Sequence, residues 1–158
     1  MSTFEAKYLR QAISLATEHM SAGHGGPFGA VVVRDGVVLA EGWNEVTSSI
    51  DPTAHAEVQA LRKAAARTGS FDLRGAILYA SCEPCPMCLG ASYWARVDAL
   101  YFAADSAEAA RAGFDDAFIY TDLARPIGAR EFVLERYLAR EGAAPFDAWL
   151  AKVDRKPY

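Results

Sequence analysis

The sequence predicts a three-layer α/β domain in which helices cover both faces of a mixed β-sheet. Short apolar runs typical of strands alternate with segments of helical periodicity, and the connections between them are short. We predict strands at residues 28–34, 37–43, 76–81 and 99–103, and helices at residues 4–22, 51–68, 86–95, 106–112 and 146–153. The length of 158 residues suits a single domain, residues 1–158, with one buried core.

In the N-terminal half, apolar residues recur at helical spacing between positions 4 and 20, which predicts the first helix. Glycines at positions 23, 25 and 26 end it. The Asp35-Gly36 pair lies between two largely apolar runs, which is a strong hairpin signal. The next helix is predicted to begin at Asp51-Pro52-Thr53, because Asp or Thr can cap a helix and proline suits an early helical position.

In the C-terminal half, the apolar run at residues 76–81 predicts a strand, and a helix follows it with Cys85 and Cys88 at its opening. Ser106 is a candidate cap for a short helix. Residues 130–138 fit either a strand or a helix, because their periodicities conflict. Residues 146–153 carry apolar side chains at helical spacing and predict the last helix.

The composition is that of a soluble globular protein, with 52% hydrophobic and 23% charged residues. No apolar run approaches the roughly 20 residues of a membrane span, and the first residues lack the pattern of a signal peptide. An odd number of cysteines, three, fits a reducing cytoplasm, so we expect a cytoplasmic protein. The net charge of −4 argues against a polynucleotide substrate, because nucleic-acid binders usually carry a basic patch.

His55 and Glu57 stand in the segment H-A-E, and Cys85 and Cys88 stand in the segment P-C-P-M-C. One imidazole and two thiolates suit zinc, and a catalytic zinc site uses three protein ligands and keeps its fourth position for water. Cys85 and Cys88 share one face if a helix begins there, and a helix N-terminus favours the thiolate form. Glu57 is then a carboxylate beside the metal, where it can transfer protons.

The spacing of His55 and Glu57 also predicts where the site lies. Both residues fall near the start of the helix predicted at residues 51–68. Because positions two apart do not share a helical face, the site should lie at the end of this helix rather than along its side.

Other interpretations of the cysteines stay open at this point. The pair could be redox-active or simply buried, and Cys82 could add a fourth ligand and so close a structural zinc site. We interpret Cys82 as a small packed residue, because it follows an apolar run. The aspartate pair in Gly113-Phe114-Asp115-Asp116 would, taken alone, belong to a solvated turn or a helix cap.

The pattern H-x-E…P-C-x-x-C is the signature of zinc nucleobase deaminases, in which the glutamate is not a ligand. Over nearly its whole length the chain resembles the guanine deaminases of the cytidine-deaminase-like superfamily, in particular the small bacterial type. The matching segments are G-G-P-F-G-A-V at 25–31, D-P-T-A-H-A-E-V at 51–58, S-C-E-P-C-P-M-C-L-G-A at 81–91, Y-W-A-R at 93–96 and A-G-F-D-D-A-F-I-Y at 112–120. The last segment and the terminal aromatic residue are the more specific signals, whereas residues 124–144 match least.

The resemblance implies a cytidine-deaminase-like fold with a five-stranded sheet, one zinc ion per chain and a homodimer. In this type of enzyme the C-terminal segment, here about residues 140–158, crosses to the partner subunit and completes its site. Asp116 would join Glu57 as a catalytic residue by contacting the guanine and relaying a proton. The implied substrate-binding residues are Asn44, Phe28, Ala56, Trp94 and Tyr158, and Tyr158 would enter the neighbouring site.

The expected reaction is therefore the zinc-dependent hydrolysis of guanine, a small purine, to xanthine and ammonia. A guanosine deaminase is an alternative, because such enzymes look similar around the aspartate pair. A tRNA adenosine deaminase shares D-P-T-A-H-A-E, but the acidic balance and the lack of a basic C-terminal tail argue against it. A non-enzymatic protein with a structural zinc site is a further alternative.

Overall fold

The computed structural model describes residues 3–157, and the chain divides into two compact units, Met1–Ala117 and Phe118–Tyr158. The elements of the first unit are α1 (Ala6–Ser21), β1 (Gly29–Arg34), β2 (Val37–Trp43), α2 (Val46–Ser49), α3 (Ala56–Thr68), β3 (Ala76–Cys82), α4 (Pro86–Ala95), β4 (Ala99–Ala104) and α5 (Ser106–Arg111). Helix α6 (Ala117–Leu123) begins at the division, and a short 3-10 turn (Ile127–Ala129) and α7 (Ala139–Ala151) follow.

The sheet has the strand order β2-β1-β3-β4. Strand β1 pairs antiparallel with β2 and β3, whereas β3 pairs parallel with β4, so the predicted mixed sheet is confirmed. Asp35 and Gly36 turn the chain between β1 and β2 with φ of 52° and 74°. Positive φ at both central residues is what a type I′ hairpin turn requires.

Alternate residues of the strands face two separate cores, because successive side chains of a strand point to opposite faces. Val32 and Leu78 pack in one core with the buried residues of α3. Val31 and Tyr79 pack in the other core with the buried residues of α1. Helices thus cover both faces of the sheet, and the predicted three-layer α/β architecture is confirmed.

The fifth strand implied by the resemblance is not present in residues 3–157, where the sheet has four strands. Residues 130–138, which fitted either a strand or a helix, form no regular element. Phe132 and Val133 are 74% and 78% exposed, so neither face of this segment is buried. A strand needs a neighbour for its backbone hydrogen bonds, and a periodic pattern does not show whether a neighbour is present.

One predicted helix start and one predicted cap are wrong, whereas the predicted start of α5 at Ser106 is confirmed. Helix α3 begins at Ala56 rather than at Asp51. The Asp51 carboxylate instead accepts hydrogen bonds of 2.8 and 2.7 Å from the backbone and the hydroxyl of Thr53, which makes a turn. Helix α5 is capped by Asp105 rather than by Ser106, through reciprocal hydrogen bonds with Glu108.

Three further differences concern short or irregular helices. Helices α2 and α6 were not predicted, because elements of a few residues hold too few positions to show a period. Helix α7 begins at Ala139 rather than at Phe146 and contains Pro145, a residue that usually argues against a helix interior. Within residues 3–157, none of the helices has the length and apolar character needed to cross a membrane.

Gly42 in β2 allows α3 to lie close against the sheet. A Cβ atom at this position would stand 2.2 Å from the carbonyl oxygen of Ala56 and 2.5 Å from the backbone nitrogen of Ala60. These distances are too short for non-bonded atoms, so a larger residue must push the helix away. Because α3 begins at Ala56, its depth against the sheet also sets the position of Glu57.

We therefore expect Gly42→Ala to destabilise the fold by about 1–3 kcal/mol, the usual cost of overpacking a core. Urea unfolding at equilibrium measures this change. Gly90→Ala is the matched control, because a Cβ at this helical glycine would meet nothing within 4 Å. That control should stabilise the protein slightly, by up to about 1 kcal/mol, through helix propensity. Equal stability of the two variants would contradict the close approach.

Candidate active site

Most of the predicted site residues come together at one edge of the sheet. Phe28 precedes β1 and Asn44 follows β2, while β3 and β4 end at Cys82 and Ala104. The antiparallel and parallel pairings bring these four positions to the same edge. A cavity of about 570 Å³ lies there, within the range typical of small-molecule sites.

His55, Cys85 and Cys88 form the one cluster of candidate metal ligands found in the described part of the chain. His55 immediately precedes α3, Cys85 immediately precedes α4, and Cys88 lies in the first turn of α4. His55 Nδ1 is 3.5 Å from each of the two Sγ atoms. Zn–N and Zn–S bonds of about 2.05 and 2.3 Å at a tetrahedral angle give an N–S separation of about 3.5 Å. The donor set and its spacing therefore fit zinc.

Cys82 does not belong to this cluster. Its thiol is 3.7 Å from the carbonyl oxygen of Asp105, to which it donates. Burial raises the pKa of Cys82 to about 11, which keeps the thiol protonated rather than a metal-binding thiolate. The ligand set thus has three protein members, as a catalytic site requires, and the interpretation of Cys82 as a packed residue agrees with its 7% exposure.

The thiols of Cys85 and Cys88 interact strongly. A hydrogen bond from Cys88 lowers the pKa of Cys85 to about 4, and His55 adds to this effect. The same bond to Cys85 and burial raise the pKa of Cys88. The pKa of His55 is raised, chiefly by its hydrogen bond with Cys85. These interactions favour a thiolate at Cys85, and bound zinc would also deprotonate the second thiol.

Glu57 lies in the first turn of α3 with an exposure of only 8%. Burial raises the pKa of this carboxyl, and its oxygens contact the Cys88 thiol. A carboxyl whose pKa is raised above its ordinary value, placed beside a metal-ligand cluster, is suited to accepting and returning a proton. The residue is at the end of the helix, as the spacing predicted.

Asn44 is 7% exposed, and its backbone contacts hold the orientation of its amide. Its Oδ1 accepts hydrogen bonds from the backbone N–H groups of Gly26 (3.1 Å) and Val46 (3.2 Å). The amide NH₂ group is therefore the part that can bind a ligand, and it can only donate. A Cβ at Gly25 would stand 2.3 Å from the Asn44 carbonyl oxygen, so the glycine keeps this loop close.

Phe28 and Asp116 contribute opposite kinds of surface to the cavity. The ring of Phe28 meets the ring of Phe114 edge-on, with centroids 4.9 Å apart and an interplanar angle of 87°. Asp115 is exposed, and its carboxylate accepts a 3.0 Å hydrogen bond from the N–H of Ala117, which makes a local turn before α6. Asp116 is partly buried, and burial raises the pKa of its carboxyl. Of the pair, Asp116 is thus the better placed to meet a ligand.

Two residues assigned from the resemblance do not line this cavity, and a third is not described by the structure. Ala56 is fully buried in the core between α3 and the sheet. Trp94 in α4 is 68% exposed and does not line the cavity. Tyr158 lies outside the described residues. The roles of all three in substrate binding stay predictions.

The cavity also contains residues to which sequence reasoning gave no role in the site. The additional lining residues include Val46, Thr47, Glu83, Ser106 and Ala109. Glu83 carried a usable signal, because it is a carboxylate inside the cysteine motif. Val46 and Thr47 carried none, since their placement depends on α2, a helix of four residues.

The family model of the cytidine and deoxycytidylate deaminase zinc-binding region matches residues 2–104. This match spans well over half of the chain and includes the three candidate ligands and Glu57. The chain belongs to this family. Zinc is accordingly its metal, and the expected cytidine-deaminase-like fold is confirmed.

Individual relatives of this family member confirm the resemblance seen in the sequence. Guanine deaminase from Bacillus subtilis (strain 168) is 52% identical over 151 residues, which cover 96% of this chain and 97% of that protein. An X-ray structure of guanine deaminase from Bacillus subtilis covers 99% of both chains with a TM-score of 0.94 and 50% identity. A tRNA-specific adenosine deaminase from Haemophilus influenzae is 39% identical over 121 residues, which cover 73% of this chain and 69% of that protein.

We expect Cys85→Ser and Cys88→Ser to lose zinc, because each removes one of only three protein ligands. Elemental analysis of the purified proteins measures the metal content. Cys82→Ser is the matched control and should keep stoichiometric zinc, since the Cys82 thiol contacts a backbone carbonyl instead. Loss of zinc from the control would show that Cys82 takes part in binding the metal.

Proposed function

We propose that this chain catalyses the hydrolytic deamination of guanine to xanthine and ammonia. The observation that carries the proposal is the buried carboxyl of Glu57 beside a cluster of three ligands that Cys82 does not complete. A closed structural site would need a fourth protein ligand, and it would have no use for a buried carboxyl with a raised pKa.

Bound zinc supplies the Lewis acidity that makes a water molecule nucleophilic at neutral pH. Glu57 accepts a proton from that water as its oxygen bonds to C2 of the purine, and it returns the proton to the ring nitrogen. A further transfer through Glu57 protonates the exocyclic amine as its bond to C2 breaks, so ammonia leaves. One water is consumed and one ammonia released for each guanine.

The cavity supports a purine base with both donor and acceptor groups. The Asn44 NH₂ group can donate to a carbonyl or a ring nitrogen, since its oxygen is already used by backbone N–H groups. Asp116 offers a carboxylate to the N–H groups of guanine. Phe28 gives an aromatic surface on which a planar base can stack. Guanine presents the complementary pattern to each of these groups.

The relatives support guanine above an RNA substrate. The Bacillus subtilis guanine deaminase matches nearly the whole of both chains, whereas the adenosine deaminase matches about seven-tenths of each. The net charge of −4 also supports guanine rather than RNA as the substrate, because RNA binding is driven by basic surfaces.

The test is ammonia release by the zinc-loaded protein with guanine, guanosine, adenine, cytosine and a tRNA anticodon stem-loop in parallel. We expect turnover of guanine, with xanthine as the product identified by chromatography. Turnover of guanosine or of the stem-loop without guanine would retain the zinc chemistry but reject the proposed substrate. If the zinc-loaded protein released ammonia from none of these substrates, the enzymatic function would be rejected.

Glu57→Gln should retain zinc and lose about 10²- to 10⁴-fold in kcat for guanine. The amide keeps the size of the side chain but cannot accept the proton of water. Steady-state assays together with elemental analysis separate this effect from loss of the metal. Residual activity within a few-fold of the parent protein would reject Glu57 as the proton-transfer group.

We also propose a homodimer in which the C-terminal segment, about residues 140–158, is exchanged between subunits. The second unit carries large apolar side chains that are 64% to 100% exposed, namely Phe132, Val133, Tyr137, Leu138, Phe146, Leu150 and Val153. So much apolar surface in a short segment is typical of a protein–protein contact. In the proposed dimer, Tyr158 of each chain reaches the site of the other.

Mixing two inactive chains tests this exchange. A Glu57→Gln chain and a chain lacking Tyr158 should each show little activity. Refolded together, they should recover up to about one quarter of the parent activity, because half of the dimers then hold one intact site. Light scattering measures the mass in the same samples. A monomeric mass, or a dimer without recovery, would contradict the exchange.

A further inference from the structure

We infer that Glu83 positions the part of the cavity wall that carries Asp116. It thereby sets the distance between the Asp116 carboxylate and the metal-ligand loop, residues 83–85 between β3 and α4. Glu83 is not one of the clustered metal ligands, and the zinc chemistry of the motif does not require it. The inference rests on the proposed function, because it explains how Asp116 is held for work on a purine.

Glu83 ties two separate segments together through its backbone and its side chain. It directly follows β3 and lies two residues before Cys85. Its backbone N–H donates to the carbonyl oxygen of Ala104 at 2.8 Å, just beyond the last strand pair, Cys82 with Ala104. Its side-chain Oε2 accepts a hydrogen bond of 3.0 Å from the N–H of Ser106. Two hydrogen bonds thus hold the loop that carries Cys85 against the segment that precedes α5.

Helix α5 connects Ser106, which is hydrogen-bonded to Glu83, with the segment that carries Asp116. Ser106 and Ala109 line the cavity, as does the segment that follows the helix. The N–H of Phe114 donates to the carbonyl oxygen of Ala109 at 3.0 Å, which binds that segment back onto the helix. The start of α5 and Asp116 therefore belong to one continuous wall, and a shift at Ser106 moves Asp116.

Helix α5 does not need Glu83 in order to begin. Asp105 accepts a 2.8 Å hydrogen bond from the N–H of Glu108, and the Glu108 side chain accepts a 3.0 Å bond from the N–H of Asp105. This reciprocal cap is complete within the helix's own sequence. What Glu83 adds is a link from the helix to the metal-ligand loop. Asp105 and Glu108 thus cap the helix, whereas Glu83 has the separate role of linking it to the loop that carries Cys85.

The experiment compares Glu83→Ala, Glu83→Gln and Glu108→Ala in the zinc-loaded full chain. We expect Glu83→Ala to keep zinc and to lose about 10- to 100-fold in kcat/KM for guanine, the equivalent of one charge-assisted hydrogen bond. Glu83→Gln keeps an acceptor oxygen and should lose less. Glu108→Ala is the matched control, since Glu108 does not line the cavity. It should lower Tm while kcat/KM stays within about threefold of the parent value.

A double-mutant cycle with Asp116→Asn shows whether Glu83 acts through Asp116. If it does, Glu83→Ala should cost less than about threefold in kcat/KM when Asp116 is already replaced. An equal loss in both backgrounds would overturn the inference and indicate that Glu83 contacts the substrate independently. An unchanged kcat/KM in Glu83→Ala, loss of its zinc, or full activity of Asp116→Asn would also overturn it.

These outcomes are separate from a failure of the proposed function. A parent protein that does not turn over guanine would reject the function itself. A parent protein that is active on guanine, with Asp116→Asn impaired and Glu83→Ala intact, would reject the positioning role alone. Circular dichroism and Tm of each variant, with Glu83→Gln as the milder substitution, exclude unfolding as the cause.

Discussion

The contact of α3 with β2 at Gly42 is the constraint on which the rest of the site depends. Because no side chain separates the two backbones there, the start of α3 lies at the sheet edge where β3 ends. His55, just before the helix, can then meet the cysteines that follow β3. Glu57, just inside the helix, is buried beside them. One glycine thus brings together groups that are about 30 positions apart in the chain.

The buried carboxyl of Glu57 and the metal-ligand cluster are linked electrostatically. Removing a carboxylate from water is unfavourable unless compensating charge is near, and the raised pKa of Glu57 reflects that cost. A cation held by His55, Cys85 and Cys88 would supply the compensating charge. Binding of zinc should therefore favour the folded arrangement as well as the chemistry, since the ligands converge only in the folded chain.

The two units of the chain differ in how they satisfy their apolar residues. The first unit buries Val31, Val32, Leu78 and Tyr79 on the two faces of its sheet. The second unit has helices but buries none of its described residues. Most of the stability of a helix in a protein comes from packing its apolar face rather than from helix propensity, so these helices have little to stabilise them within their own unit.

Much of this protein was determined by the sequence itself. The hairpin at Asp35-Gly36, the bounds of α4 and the identity of the zinc ligands follow from turn chemistry, local periodicity and the donor preference of the metal. Only the tertiary structure decided that Cys82 faces a backbone carbonyl, that Asn44 can only donate to a ligand, and that residues 130–138 find no strand partner. Each of these depends on contacts with distant parts of the chain, and a local sequence pattern carries no information about such partners.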